Sequence, residues 1–140
     1  MKQQPSRLKF RKNHKVSFSF FSLKDHKNFF PIFGKFALKS LEAGKLTFKQ
    51  IEAGRKSIRR NVSKKAKIWI RVFTSKSVTS KPIAVRMGKG KGSHSFWMTP
   101  VRVGQIIYEV SNVSFYEGIK SLSRASSKMP FKTRVVSIIF

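Results

Sequence analysis

Apolar residues at Phe48, Ile51, Ile58 and Val62 fall close to one stripe at helical period. Thr47-Phe48-Lys49-Gln50 supplies a Thr-x-x-Gln capping box at the start of that stripe, so the pattern predicts a helix from Phe48 onward. Glu52 is read as a first-turn acid, where negative charge suits the helix dipole. Gly54 costs such a helix roughly 1 kcal/mol relative to Ala, which implies a close contact at that position.

The period then changes. Lys67-Ile68-Trp69-Ile70-Arg71-Val72-Phe73 is rich in β-branched and aromatic residues and reads as a strand. A polar, turn-like stretch of Thr, Ser and Lys leads to a second strand candidate, Pro82 to Met87. Two further apolar runs, Phe96-Trp97-Met98 and Gln105 to Val110, are punctuated by Pro100 and Gly104 and suggest a strand pair or one bent strand. Ser114-Phe115-Tyr116-Glu117 is another capping box, opening a helix with Phe115, Ile119, Leu122, Ser126 and Met129 on one face and Pro130 as its stop. Phe131 to Phe140 returns to strand. The expected architecture is α+β: a mostly antiparallel sheet packed with two helices, forming a single domain over residues 33–140.

Residues 1–32 fit no single period. Basic clusters alternate there with Phe18, Phe20, Phe21, Phe29 and Phe30, interrupted by Pro5 and Pro31. Disordered tails are usually poor in aromatics, so this stretch reads as an extended basic arm, with Phe anchors between cationic contacts.

Charge decides what the arm faces. Thirty-one Lys and Arg oppose five acids (Asp25, Glu42, Glu52, Glu109 and Glu117), a net charge of +26. Such a chain repels itself and calls for a polyanion, with nucleic acid ahead of an anionic membrane surface. Cysteine is absent, which excludes disulfides and thiolate metal sites. No apolar run approaches the roughly 20 residues of a membrane span, so membrane insertion is not expected.

Three glycines alternate with lysines in Gly88-Lys89-Gly90-Lys91-Gly92. The stretch is no Walker loop, because counting five residues from Gly88 reaches Ser93, and G-x-G-x-x-G fails at the same place. No acid lies between Glu52 and Glu109 to hold a metal there or act as a base. His14, His26 and His94 have no metal-ligand spacing, so no metal, no cofactor and no enzymatic activity are expected. Glycine permits unusual backbone angles and close approach, Lys89 and Lys91 suit phosphate, and Arg86 suits a bidentate or stacking contact. The loop reads as a cationic finger inserted into folded nucleic acid.

Several of these stretches together resemble a known family. Lys67-Ile-Trp-Ile-Arg-Val-Phe73, Lys81-Pro-Ile-Ala-Val-Arg-Met-Gly-Lys-Gly-Lys-Gly92, Leu46-Thr47 with Gln50-Ile51-Glu52-Ala53, and RLKFRKNHK from Arg7 to Lys15 are similar to the L-sixteen family of large-subunit ribosomal proteins. The resemblance covers nearly the whole chain, with its motifs in the family's order. Val16 to Phe30 departs from it, being Phe- and Ser-rich where the family is Gly-rich; Ala37, Ser40, Glu42 and Gly54 also replace commoner choices. The C-terminal helix keeps the family's pattern but little identity, so it is assigned packing rather than contact.

The resemblance implies an α+β structural constituent of the large ribosomal subunit, bound to large-subunit rRNA beside neighbouring ribosomal proteins. It implies rRNA contacts from Arg7, Lys9, Arg11, Lys12, His14 and Lys15 in the arm, and from Lys49, Arg55, Lys56, Arg59 and Arg60 on the helix. Arg55, near the apolar stripe, is the weakest member of that set. It implies further that Arg86, Met87, Gly88, Lys89, Gly90, Lys91 and Gly92 extend toward the A-site tRNA and the peptidyl-transferase region. No homo-oligomer is expected. Family-like residues begin at Arg7, leaving no room for a cleavable presequence, and heavy Phe and Lys use suggests an AT-rich genome. Both favour a mitochondrially encoded protein in the mitochondrial ribosome, ahead of a plastid or bacterial cytoplasmic one. The competing readings are a free-standing RNA- or DNA-binding chaperone or architectural protein, and a membrane-surface protein that sets Phe and Lys against an anionic bilayer.

Overall fold

The computed structural model describes residues 5–14 and 30–138. Among these residues, seven strands and two helices follow one another as β1 (Phe36–Ser40), β2 (Gly44–Thr47), α1 (Phe48–Arg60), β3 (Lys67–Ile70), β4 (Lys76–Ser80), β5 (Ser93–Val101), β6 (Ile106–Ser111), α2 (Phe115–Ser126) and β7 (Thr133–Ser137). They form a four-stranded sheet, β3-β6-β1-β7, and a three-stranded sheet, β2-β5-β4, with every described pairing antiparallel. The α+β class expected from the sequence is the one observed.

Both capping boxes form. Thr47 and Gln50 exchange side-chain and backbone hydrogen bonds at the start of α1, as do Ser114 and Glu117 at α2. Each box satisfies two donors that a helix start leaves without partners. The helices pack against each other, α2 also meeting β1 and β7 while α1 meets β2, β3 and β5. Between helices and sheets lies a core that includes Leu38, Leu46, Ile51, Ile58, Tyr108 and Leu122, all fully buried. Tyr108 ties α1 to β6 by donating its hydroxyl hydrogen to the Ile51 carbonyl at 2.7 Å. Burial in this core pushes the Tyr108 hydroxyl pKa far above its ordinary value. Gly54 sits over that ring: a Cβ there would fall 2.5 Å from the tyrosine oxygen and 2.9 Å from Met129 Cε. The close contact expected at Gly54 is therefore present.

Glu109 organises the opposite face of the four-stranded sheet. It is buried in β6 across from Trp69, and its Oε2 accepts the backbone N–H groups of Ile32, Phe33 and Gly34 at 3.1, 2.5 and 2.9 Å. Its Oε1 takes the Arg71 guanidinium. Phe33 stacks on Trp69 with ring centres 5.9 Å apart, and Arg71 lies 5.3 Å from the Phe33 ring. One carboxylate thus pins the entry to β1 against the sheet.

Several expectations need correction. Pro82 to Met87 is not a strand; its Ile83 and Met87 side chains are wholly exposed, and the strand is the polar stretch Lys76–Ser80 that read as a turn. That polar segment forms a strand because β5 supplies its ladder. The runs at Phe96 and Ile106 are two strands, but they pair in different sheets rather than with each other. Strands β1 and β2 occupy a region for which the sequence suggested none. On α2 the buried positions are Gly118, Ser121, Leu122 and Ala125, while Phe115 and Ile119 are exposed, and the helix ends at Ser126 before Pro130. The close approach of Phe36 to Gly118 sets that rotation, since a Cβ there would meet the Phe36 ring at 2.7 Å. Glu52 lies beyond the first turn of α1, which holds no acid, and its partner is Arg55 rather than the helix dipole.

Candidate nucleic-acid interface

The segment 81–92 joins β4 to β5, and Arg86, Met87, Gly88, Lys89, Gly90 and Lys91 are all exposed. Gly88, Lys89 and Gly90 take φ values of 102°, 51° and 84°, three left-handed residues in succession. A Cβ on Gly88 or Gly90 would meet nothing within 4 Å, so backbone sign rather than crowding calls for glycine at those two positions. Gly92 is there for the opposite reason. A Cβ would sit 2.4 Å from the Ser80 carbonyl oxygen, where the two stems of the loop close. The Val85 N–H donates to the Pro82 carbonyl at 3.2 Å, and Lys81 Nζ donates to the Gly88 carbonyl, folding the loop back over its own stem.

The N-terminal segment meets this loop. Lys12 Nζ donates to the Lys91 carbonyl at 3.0 Å, and Lys91 Nζ donates in return to the Asn13 carbonyl. Arg7, Lys9, Arg11, Lys12 and His14 are exposed, with the Lys9 ammonium 5.6 Å from the Phe10 ring centre. Lys15 lies outside the described residues. Two cationic stretches remote in sequence are thus clasped together, and neither 5–14 nor 81–94 contains an acid.

The helix cations divide into two groups. Lys49, Lys56, Arg59 and Arg60 are exposed on α1, and Arg59 among them also bonds the chain. Arg55 is engaged by Glu52, donating from Nε at 2.9 Å and from Nη2 at 2.6 Å. That hydrogen-bonded pairing, opposed by burial, holds the Glu52 carboxyl below the usual carboxylate range and raises the Arg55 guanidinium. Arg59 reaches the carbonyls of Ser63, Lys64 and Ala66 at 3.2–3.4 Å and so shapes the turn into β3. Two of the five helix cations therefore serve the fold.

The outer face of the three-stranded sheet went unnoticed in the sequence. Val78, Phe96 and Met98 line a cleft of 520 Å³ there, rimmed by His14, Lys45, Lys76 and Lys91. The alternation along β5 was the available signal, with Phe96, Met98 and Pro100 on one face and Thr99 and Val101 buried on the other. Among the described residues no group of His, Cys, Asp or Glu is arranged to hold a metal ion, and no helix is long and apolar enough to cross a membrane.

Residues 5–136 match the family model of Ribosomal protein L16p/L10e. The chain belongs to that family. A protein of Buchnera aphidicola named "Large ribosomal subunit protein uL16" is 46% identical over 134 residues, covering 96% of each chain. Proteins of the same name from Psychrobacter arcticus and Chlamydia trachomatis are 44% and 46% identical, over 133 and 132 residues, covering 95% and 94% of each chain. These relatives are bacterial, so the chain is of the bacterial L16p/L10e type. The family consists of structural, non-enzymatic components of the ribosome, and this chain is accordingly not an enzyme.

Proposed function

We propose that this protein is a structural constituent of the large ribosomal subunit, binding large-subunit rRNA beside neighbouring ribosomal proteins. The observation that carries the proposal is the clasp between segment 5–14 and the loop 81–92, which joins two acid-free cationic stretches into one surface. Its chemistry suits phosphate throughout, and a net charge of +26 suits burial in a polyanion. Arg7, Lys9, Arg11, Lys12, His14 and Lys15, with Lys49, Lys56 and Arg60, are assigned rRNA backbone contacts; Arg55 and Arg59 contribute by holding α1 and the following turn in shape. The loop from Arg86 to Gly92 is assigned to the vicinity of the A-site tRNA and the peptidyl-transferase region, where it positions RNA and performs no chemistry. Within the proposal, residues 1–32 act as the arm and 33–140 as the RNA-binding domain. Its finer part sets this ribosome in the mitochondrion, on the grounds of the heavy Phe and Lys use that suits an AT-rich genome.

Sedimentation of lysate and of isolated organelles through high-salt gradients tests both parts. Retention on the large subunit, with chemical protection of defined rRNA helices, is the expected result. A chain that washes off and spreads over all RNA is a free-standing binder instead, and recovery on cytoplasmic rather than organellar particles removes the mitochondrial assignment.

A further inference from the structure

Resting on the ribosomal RNA reading above, we infer that the outer face of the three-stranded sheet is a binding cleft for an unstacked RNA base, with Phe96 as its stacking platform. Phe96 points out of β5, opposite Val78 of β4 and past the end of β2, whose pairing with β5 stops at Met98, and is 43% exposed. It forms the ridge between two clefts. The one over the sheet measures 520 Å³ and is floored by Val78, Met98 and Pro100. The other measures 450 Å³, lies against the start of α1, and is bordered by Lys49, His94 and Trp97. Volumes of this size suit a small planar ligand.

The lining chemistry selects among ligands. An apolar floor with an aromatic ridge accepts a base, whereas lysines and a histidine around the rim, with no acid among the described residues of either cleft, accept the phosphates that follow it. An apolar peptide brings no phosphate for Lys76 and Lys91 to meet, and a free phosphate would leave the ridge uncovered. Lys91 belongs to both the rim and the clasp, so the cleft continues the cationic surface already described. A base extruded from a folded RNA thus finds its stacking partner on the sheet while the flanking backbone runs along the clasped loop.

Fluorescence anisotropy of the full-length protein with two labelled probes tests this: hexa-adenylate, and an abasic hexamer of equal charge. Phe96→Ala is expected to weaken hexa-adenylate binding roughly five- to hundredfold, the range for losing base stacking, and to leave the abasic probe unaffected. Phe96→Tyr should retain wild-type binding. Because the side chain is half outside the fold, circular dichroism should show no loss of structure. Equal weakening for both probes, or no change for either, overturns the cleft. So does a fall in melting temperature without an effect on either probe, which would mean that protein covers this face. Sedimentation of Phe96→Ala with the large subunit separates the two ideas: a cleft that fails while particles still incorporate the chain leaves the ribosomal proposal standing.

Discussion

Replacing Glu109 with Gln keeps the shape of the buried side chain but removes its charge and half of its accepting capacity. In the native protein one oxygen serves three backbone N–H groups and the other serves Arg71. Gln has a single acceptor oxygen, and its amide would aim two hydrogens at donors already present. The Ile32 and Phe33 amides are only partly buried and can turn to water at little cost. The Gly34 amide is buried and the Arg71 side chain is 12% exposed, and they use different oxygens, so whichever way the amide turns one of the two loses its partner outright. Removing one member of a buried pair costs about 3–5 kcal/mol, and losing the Glu109 charge together with the acceptor of one buried donor falls in that range. Against a typical total of about 5–15 kcal/mol this is severe. Urea unfolding followed by the fluorescence of Trp69 and Trp97 measures the loss, and hydrogen exchange at residues 32–34 should accelerate before the rest of the sheet opens. A loss below about 1 kcal/mol, with unchanged exchange at Gly34, would refute the view that Glu109 anchors this segment.

Gly54→Ala gains roughly 1 kcal/mol of helix propensity but drives a methyl group into the Tyr108 hydroxyl. Overpacking costs about 1–3 kcal/mol, so the melting temperature should fall, and a rise would contradict the close-contact assignment. Lys56→Gln should lower the slope of log affinity against log salt for large-subunit RNA by about 0.7–0.9, one phosphate contact, while Arg55→Gln should change it far less because Glu52 already engages that guanidinium. Equal slopes for the two variants would return Arg55 to the interface. The Glu52–Arg55 pair lowers the folded-state carboxyl pKa, so its stabilisation is complete above the ordinary carboxylate range and fades as pH falls through the depressed value. Thermal melts of Glu52→Gln and wild type should differ slightly at pH 7 and converge in acid; a gap that widens in acid would reverse the assignment.

How much of this was legible in the sequence depended on how local each cause was. Both capping boxes act within four residues, so α1 and α2 could be read directly. Gly54 was legible as a cost needing a reason, although the reason, Tyr108, is remote in sequence. Strand β1 was hidden because it is buried along most of its length, so Phe36 to Ser40 shows no alternation. Strand β4 was hidden because its residues are polar and its identity comes from β5. Pro82 to Met87 misled in the other direction, since its apolar side chains face outward from a loop, where a partner rather than a core would account for them. The cations of the candidate interface were visible as charge, but which of them the fold consumes was not: Arg59 finds its carbonyls only once the turn at residues 61–66 exists. The Glu109 anchor left no signal, because its partners come from residues 32–34 and 71.

Strand order carries a consequence for biosynthesis. In the four-stranded sheet β1 lies between β6 and β7, with Phe36 opposite both Val110 and Ser137. Among the described strands, the first to leave a translating ribosome therefore waits for the last two, and about a hundred residues separate it from the strand that covers its second edge. Closing loops of that length makes folding slow, on the scale of milliseconds to seconds, because the entropic cost precedes the contacts that offset it. During that interval the nascent chain is a long polycation with an open strand edge. An RNA that engages the basic residues as they appear would shield both their mutual repulsion and that edge, making the chain's eventual binding partner its first folding environment.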